Sequence, residues 1–210
     1  SMLEQLPIID ENGMAFSFCV TKEHHKDLSY IDSNTSGVMT GDGVPSESDR
    51  NRLVINGLME EAISSSQIEG ATTTRKVAKA MIELKREPKS KDERMILNNY
   101  LAMDRLEEWK GRELSDKFIL ELHKLLTQET LENPEDEGKF RNDDDEIVVL
   151  DSVTGEIMHT PPLIKDAKKQ LAELCEFANK DDEDNFIHPF VKASIIHFCV
   201  GYIHPFVDGN

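Results

Sequence analysis

Several residue types are scarce in this chain of 210 residues, and each scarcity excludes a class of protein. Three cysteines, Cys19, Cys175 and Cys199, are too few and too far apart for a disulfide framework or a cysteine-rich metal site. No run of about 20 apolar residues occurs, so no membrane-spanning helix is expected. The first residues lack the basic and then apolar pattern of a secretory signal. These features predict a protein of the reducing cytoplasm.

Basic residues are scarce relative to acidic ones. Lysine and arginine number 24 against 41 aspartates and glutamates, and the formal net charge is −17. A nucleic-acid-binding protein normally presents a basic surface, so DNA or RNA is not expected as a partner of this part of the chain. A nucleotide needs only a few local donors and is not excluded. Hydrophobic residues make up 38% of the sequence, which is typical of a globular protein.

The chain divides into an N-terminal extension of uncertain structure, residues 1–45, and a region of helical patterning, residues 46–210. In the extension we expect a strand near Met14–Val20 and a loop from Ser33 to Pro45. Apolar spacing and capping residues predict helices over Ser46–Glu69, Lys76–Arg86, Ser90–Lys110, from Ser115 onward, over Leu163–Ala178 and over Pro189–His204. The last helix is the most apolar, so we expect it at the centre of the core.

One short hairpin interrupts the helical pattern. Ile147–Leu150 reads as a strand, Asp151–Gly155 as a turn and Glu156–Thr160 as the returning strand. The residue pattern therefore predicts an all-α body with one β-hairpin.

The segment whose residues could carry out a reaction follows the apolar helix directly. It reads His204-Pro205-Phe206-Val207-Asp208-Gly209-Asn210. It offers a base in His204, a carboxylate for a hard cation in Asp208, and a Gly209–Asn210 pair able to present backbone N–H groups to an anion. Phosphate chemistry uses this combination of base, cation site and concave donor loop. These residue types are also common after helices, and by themselves they indicate a structural turn more often than a site.

The order of these residues resembles the start of the Fic signature, His-Pro-Phe-x-Asp/Glu-Gly-Asn-Gly-Arg. Two other stretches resemble the same family. Gly138-Lys139-Phe140-Arg141, followed by Ile147–Val149 and His159-Thr160-Pro161-Pro162, looks like its loop and hairpin flap. Ser65-Ser66-Gln67-Ile68-Glu69-Gly70 is similar to its inhibitory motif, Ser/Thr-x-x-x-Glu-Gly/Asn.

The resemblance implies a Fic-like helical bundle over residues 46–210 with a small β-hairpin flap at about 139–162. It places an inhibitory helix at about 46–70 and the signature at 204–210. Because the family signature is longer than the part present here, we expect a natural protein that continues past Asn210.

The resemblance also implies a reaction, the transfer of AMP from ATP to a hydroxyl side chain of a target protein. His204 would be the general base and Phe206 an anchor in the core. Asp208 would coordinate Mg²⁺, and Gly209 and Asn210 would begin the anion hole around the phosphates. ATP and Mg²⁺ are the small molecules that this reaction requires.

The similarity further implies autoinhibition by Glu69. Ser65 and Glu69 are four residues apart on one predicted helix and so share a face. In similar proteins the glutamate pairs with an arginine later in the longer signature and displaces the γ-phosphate of ATP, because both anions compete for one guanidinium. Without the signature, Glu69 would be an ordinary acid at a helix end.

Other residues have weaker or open assignments. Ile147, Val148 and Val149 are predicted to dock a target segment by strand addition, although a hairpin that only covers the core is an equal alternative. Lys139 and Arg141 are left open between phosphate contact and solvation of the loop. The other histidines show no metal-ligand spacing, and His197 is expected to pack in the core.

Two alternative functions stay open at this stage. One is removal of AMP by the same site, with Glu69 positioning water. The other is a non-catalytic, nucleotide-responsive regulator. The sequence does not identify the target protein or its modified residue, and the protein itself is one candidate target. It also does not identify the trigger that relieves inhibition, or whether the chain forms a homo-oligomer.

Overall fold

The computed structural model describes residues 3–10, 13–35, 46–151, 153–180 and 186–210. The helices are α1 (Lys22–Thr35), α2 (Glu47–Ile68), α3 (Arg75–Glu83), α4 (Lys91–Asp104), α5 (Leu106–Trp109), α6 (Asp116–Thr127), α7 (Ile164–Asn179) and α8 (Pro189–Ile203). The strands are β1 (Glu4–Ile9), β2 (Ala15–Phe18), β3 (Val149–Leu150) and β4 (Ile157–His159). Single 3-10 turns lie at Pro134–Asp136 and Asp143–Asp145. The predicted helical fold class is confirmed.

The strands form two separate antiparallel hairpins, β1–β2 and β3–β4. The expectation of a single hairpin was therefore incomplete, because the N-terminal extension contributes the other. In β1 the buried residues Leu6 and Ile8 lie two positions apart, and this period-two spacing is the signal that was missed. Ser33–Thr35 also differ from prediction, since they end α1 rather than begin a loop. The rest of that predicted loop, residues 36–45, lies outside the described residues.

Serine or threonine caps determine where four of the helices begin. In each of these caps a side-chain oxygen accepts a hydrogen bond from the backbone N–H three residues later: Ser46, Thr74, Ser90 and Ser115. Ser90 and Glu93 have the spacing of a capping box, but Glu93 does not complete it. Its carboxylate instead accepts the N–H of Lys89 at 2.7 Å and pairs with the guanidinium of Arg86. The helix predicted to run to Lys110 is divided by a break at Arg105.

Two buried clusters organise the fold. One joins α2, α3 and α4 through Met59, Ile63, Ala71, Ala78, Met81, Ile82 and Ile96. The other joins β1, α6, α7 and α8 through Leu6, Ile8, Ile119, Ala167, Leu171, Leu174, Cys175, Ile195, Cys199, Ile203 and Phe206. Since α4 packs against both α2 and α6, it connects the two clusters. Phe206 belongs to the second cluster, so the segment after α8 begins on the packed core.

Helix α8 is central to the core on one face only. Ile195, Cys199 and Ile203 are buried against α7 and β1, whereas Phe190 and Phe198 are 55% and 52% exposed. His197 is also exposed, which contradicts its expected place in the core. Helix α8 is apolar around most of its circumference, and the side that carries Phe190 and Phe198 is only partly covered, with Phe16 of β2 in edge contact with Phe198. Among the described residues, no helix has both the length and the apolar character to cross a membrane.

Candidate active site

Helix α8 ends at His204, which adopts the left-handed conformation with φ 47° and ψ 61°. Its N–H still donates to the carbonyl oxygen of Val200 at 2.8 Å. Pro205 follows, has no N–H to donate and cannot continue the helix. A non-glycine residue in this conformation costs about 1–2 kcal/mol, so surrounding contacts must hold it there. The chain consequently turns sharply at the predicted base.

Arg141 supplies two of those contacts. Its Nε donates to the carbonyl oxygen of His204 at 2.7 Å, and its backbone N–H donates to the carbonyl oxygen of Pro205 at 3.0 Å. A terminal nitrogen of the guanidinium also donates to the carbonyl oxygen of Pro162 at 2.5 Å. Arg141 is only 5% exposed. Solvation of the loop is therefore wrong for Arg141, whose buried side chain bonds main-chain carbonyls. Lys139 is exposed, which is compatible with either role considered from the sequence.

The segment from Phe206 to Asn210 closes on itself. Asn210 accepts the N–H of Phe206 through Oδ1 at 2.7 Å and donates through Nδ2 to the carbonyl oxygen of Phe206 at 3.1 Å. We name residues 204–210 the signature loop. Gly209 has φ +74°, and a Cβ placed on it would lie 2.6 Å from Cγ2 of Thr127 on α6. The loop therefore rests directly on α6 and requires glycine at this position.

His123 on α6 lies beneath the signature loop. Its ring stacks on Phe206 with centroids 3.8 Å apart and planes 12° apart. Nδ1 accepts the N–H of Gly138 at 3.0 Å, and Nε2 is 2.9 Å from the carbonyl oxygen of Asp208. Because a carbonyl oxygen only accepts, Nε2 carries the proton. Burial lowers the pKa of His123, although the bond to Asp208 and the charges of Asp208 and Glu137 oppose this.

The side chain of His204 is half-buried at the mouth of the loop. Its Nδ1 is 3.3 Å from the carbonyl oxygen of Gly201, which assigns the proton of the neutral ring to Nδ1 and the lone pair to Nε2. Burial lowers the pKa of His204, and the charges of Arg141 and His159 lower it further. The bond to Gly201 and the charge of Asp208 act in the opposite direction. The net lowering favours the neutral ring at neutral pH, as a base requires.

Asp208 presents its carboxylate on the exposed side of the loop, where Oδ1 also accepts the N–H of Gly209 at 2.7 Å. In the part of the chain that the structure describes, no three His, Cys, Asp or Glu residues are grouped to hold a metal ion. Mg²⁺ commonly uses one or two carboxylates and completes its shell with water and substrate phosphates. A single exposed carboxylate therefore fits a magnesium ion that is shared with a polyphosphate.

The predicted flap is the β3–β4 hairpin. Val149 pairs with His159, and Leu150 pairs with Ile157 across an irregular register. The strand predicted to begin at Ile147 begins at Val149 instead, so Ile147 and Val148 precede it. Three apolar side chains of the two strands are more than half exposed, Leu150, Ile157 and Met158, and so is Val153 in the turn. The hairpin thus presents apolar surface to solvent on both strands.

The flap is fixed to α8 close to the signature loop. His159 stacks on Tyr202 with centroids 4.4 Å apart, and its Nε2 donates to the carbonyl oxygen of Tyr202 at 2.7 Å. Phe16 of β2 contacts the same tyrosine edge to face at 4.8 Å. The N-terminal hairpin, α8 and the flap therefore meet two residues before His204.

Ser65 and Glu69 lie at the end of α2. The N–H of Glu69 donates to the carbonyl oxygen of Ser65 at 3.1 Å, and the Glu69 side chain is exposed. Gly70, with φ +99°, then ends the helical path. Within the described ranges, no hydrogen bond or ion pair joins Glu69 to the signature loop. The structure thus shows the two motifs on separate elements of one bundle.

Two consecutive asparagines of α4, which the sequence analysis missed, link this helix to α2 and to the end of α6. Asn99 donates to Oγ of Ser66, within the inhibitory motif, at 3.3 Å. Asn98 donates to the carbonyl oxygens of Leu126 and Gln128 at 3.1 and 2.8 Å, at the end of α6. Asn98 is a polar residue among the apolar positions of a predicted helix. Only this pattern could have indicated that it bonds main-chain groups in the core.

The bundle, in which an apolar helix ends in a closed loop beside a small hairpin, has the Fic-like architecture that the resemblance implies. The sequence model of the Fic/DOC family matches residues 113–210 of this chain. The match includes α6, the flap, α8 and the signature loop. The resemblance seen in the sequence is confirmed.

Named relatives agree with this assignment. A protein of Nematostella vectensis named protein adenylyltransferase Fic is 27% identical over 168 residues, which cover 76% of this chain and 36% of that protein. The chain thus spans little more than a third of the length of this relative.

Solved structures share the fold. A Fic family protein of Desulfovibrio desulfuricans G20 superposes with a TM-score of 0.66 at 22% identity, covering 91% of this chain and 55% of that one. A Fic domain containing signaling protein of Bacteroides thetaiotaomicron VPI-5482 superposes with a TM-score of 0.69 at 19% identity, covering 88% and 66%. At these identities the likeness concerns the fold alone.

Proposed function

We propose that this protein transfers AMP from ATP to a hydroxyl group of a protein target, with His204 as the general base. The observation that carries the proposal is the arrangement of His204 in the signature loop. Nδ1 faces the carbonyl oxygen of Gly201, so Nε2 holds the lone pair, and Asp208 presents a carboxylate in the same closed loop. The name of the Nematostella vectensis relative, a protein adenylyltransferase, supports the same reaction.

The proposed step balances as a substitution at phosphorus. The target hydroxyl oxygen forms a bond to the α-phosphorus of ATP while its proton passes to Nε2 of His204. The bond from the α-phosphorus to the oxygen that bridges to the β-phosphate breaks, and pyrophosphate leaves. Burial and the neighbouring charges of Arg141 and His159 keep His204 neutral before the step. A neutral imidazole near its working pH is a suitable acceptor for this proton.

Asp208 would hold Mg²⁺, which when bound neutralises phosphate charge during the transfer. Its backbone is fixed by the bond from His123 to its carbonyl oxygen. Gly209 and Asn210 are proposed to begin the anion hole. The Asn210 side chain is already bonded to Phe206, so its part in such a hole would be to keep the loop closed. Positioning and charge neutralisation would then supply most of the catalysis.

Glu69 is proposed to restrain the reaction by occupying the place of the γ-phosphate. Its carboxylate is exposed at the end of a 22-residue helix. The capped and glycine-terminated end of α2 limits the freedom of this residue. Ser65 lies one turn earlier on the same face and belongs to the same motif.

The flap is proposed to align the target protein. Val149 lies in β3, and Ile147 and Val148 lead into it, next to the exposed apolar side chains of the hairpin. A target segment that added to this short edge would gain main-chain hydrogen bonds. The contact of His159 with Tyr202 would hold the flap, and so the added target segment, at a fixed distance from His204. A cytoplasmic setting and self-association stay predictions from the sequence.

The test uses ATP labelled at the α-phosphate and, separately, at the γ-phosphate, with Mg²⁺. Wild-type protein is compared with Glu69→Ala, with Glu61→Ala as a matched exposed acid of α2, and with the double variant Glu69→Ala/His204→Ala. We expect α-label on protein, increased by Glu69→Ala but not by Glu61→Ala, and lost in the double variant. No γ-label should appear on protein.

Other results would separate the alternatives. Transfer of γ-label would replace AMP transfer with phosphate transfer. If neither label moves although ATP binds, a target already carrying AMP is offered, and loss of AMP removal in Glu69→Ala would establish the reverse reaction. If the wild type and His204→Ala have the same biological effect without any transfer, the protein is a nucleotide-responsive regulator.

A further inference from the structure

His123 makes contacts with three separate parts of the site. Its ring stacks on Phe206, its Nδ1 accepts the N–H of Gly138, and its Nε2 donates to the carbonyl oxygen of Asp208. The residue is 3% exposed and lies on α6, outside the signature loop. One buried ring therefore touches the loop before the flap, the anchor of the signature loop and the turn that carries the predicted metal ligand.

These contacts need both nitrogens of a neutral imidazole. The backbone N–H of Gly138 can only donate, so Nδ1 must accept, and the carbonyl of Asp208 can only accept, so Nε2 must donate. Glutamine and asparagine also combine a donor with an acceptor in one side chain, whereas phenylalanine keeps the ring without either group. A residue needed only to fill space beneath Phe206 would have no requirement for two opposed polar atoms.

The turns at Gly209 and Gly138 pack so closely against α6 that neither has room for a side chain. A Cβ on Gly209 would meet Nε2 of His123 at 3.4 Å as well as Cγ2 of Thr127 at 2.6 Å. A Cβ on Gly138 would meet Cβ of Lys124 at 2.8 Å and the carbonyl oxygen of Leu120 at 3.0 Å. Both glycines have positive φ, so two tight turns approach α6 from either side of the histidine.

We infer that His123 is a positioning residue for the proposed transfer, fixing the Asp208–Gly209 turn against the Gly138 turn through its two ring nitrogens. The inference rests on the proposed function for its consequence in catalysis. Its structural part, the pair of opposed hydrogen bonds, is independent of that function. His123 acts through Asp208 and touches no reacting atom.

The first test measures the protein without nucleotide. Nitrogen chemical shifts of the His123 ring should show an unprotonated Nδ1 and a protonated Nε2. In His123→Phe the Gly138 amide should exchange its hydrogen roughly 10-fold faster, because it loses the hydrogen bond that protects it. His123→Gln should return the exchange rate toward that of the wild type. His25→Phe, at an exposed histidine of α1, is the matched control and should change nothing.

The second test measures AMP transfer in the Glu69→Ala background. We expect His123→Phe to lower kcat by roughly 10-fold or more, because a small displacement of a positioning group is costly to a transfer step. The KM for ATP should change less, and His123→Gln should recover most of kcat. Equal kinetics in the Phe and Gln variants would overturn the inference, because packing alone would then account for the residue.

The outcomes separate failure of the inference from failure of the proposed function. If the parent protein transfers no AMP, the proposed function fails, and the ring shifts and Gly138 exchange still decide the hydrogen bonds. If Nδ1 is protonated, or if Gly138 exchange is unchanged in the Phe variant, the inference is overturned even when transfer is observed. If the Phe variant does not fold, the decision comes from the ring shifts of the wild type and from the Gly138 exchange rate and kcat of the Gln variant.

Discussion

Arg141 donates a hydrogen bond from Nε to the carbonyl oxygen of His204 over 2.7 Å, and this bond joins the loop before the flap to the end of α8. His204 is in the left-handed conformation, where its carbonyl group is not used by the helix. The same guanidinium bonds the carbonyl oxygen of Pro162, at the end of the flap. One buried cation therefore satisfies carbonyl oxygens from two segments that are distant in sequence.

Replacing Arg141 should destabilise the fold. In Arg141→Met both carbonyls lose their donor, at a cost of about 1–3 kcal/mol for each acceptor left unsatisfied in a buried place. Arg141→Lys keeps the charge and one donor group, so its free energy of unfolding should lie between those of Arg141→Met and the wild type. The free energy of unfolding in urea measures this effect. Lys139→Met, at the exposed neighbour, should stay within about 0.5 kcal/mol of wild type, and an equal loss there would contradict the assignment.

The pH dependence of transfer should report the environment of His204. Burial, Arg141 and His159 lower its pKa from the ordinary value of 6.5. The base form is the neutral ring, so kcat/KM should be level at neutral pH and fall only as the pH drops through this lowered pKa. The pH–rate profile of the Glu69→Ala protein measures this limb. An acidic limb centred above pH 6.5 would contradict the direction of the shift.

Gly209→Ala should destabilise the signature loop more than a glycine substitution at an open turn. The new Cβ meets Cγ2 of Thr127 at 2.6 Å and must also adopt φ +74°. Gly111 has a similar φ of +78° with open space around it, so Gly111→Ala bears only the conformational cost of about 1 kcal/mol. We expect an additional loss of about 1–3 kcal/mol for Gly209→Ala, from overpacking.

A second substitution makes the Gly209 result specific. Thr127→Ser removes the methyl group that obstructs the new Cβ and keeps the hydroxyl that donates to the carbonyl oxygen of His123 at 2.7 Å. Thermal and urea unfolding of the double variant should recover part of the lost stability. Simple additivity of the two single changes would mean that this contact is not the cause.

Asn98 should contribute more to stability than its neighbour Asn99. Asn98 is 1% exposed and donates to two carbonyl oxygens at the end of α6, those of Leu126 and Gln128. Asn98→Ala leaves both without this donor and should cost about 1–3 kcal/mol in the free energy of unfolding. Asn99→Ala removes one longer bond, 3.3 Å to Ser66, and should cost less. The opposite order would show that the α2–α4 contact is the stronger link.

Much of the helical framework could be predicted from local pattern. Ser46, Ser90 and Ser115 begin helices where the sequence placed them, because a serine before an amphipathic run has a local physical effect on free N–H groups. The N-terminal region was harder. Helix α1 buries only Leu28, so its sequence lacks the apolar stripe by which the other helices were recognised.

The candidate site was predicted only in part, for a related reason. A contiguous motif made His204, Asp208 and Gly209 visible, and the roles given to them stay proposals. The partners of the loop are invisible to such a motif. His123 and Arg141 come from positions 85 and 63 residues away from Asp208 and His204, and nothing local marks a histidine that bonds two main-chain groups.

The sequence by itself determined the helix starts at Ser46, Ser90 and Ser115, the break at His204-Pro205 and the order of chemical groups in the signature loop, since these depend on neighbouring residues. Tertiary structure alone decided which carbonyls Arg141 satisfies, which tautomer His123 adopts, and that Gly209 lies against Thr127. The physical reason is that capping and helix termination act within a turn, whereas the satisfaction of buried polar groups depends on the segments that packing brings together.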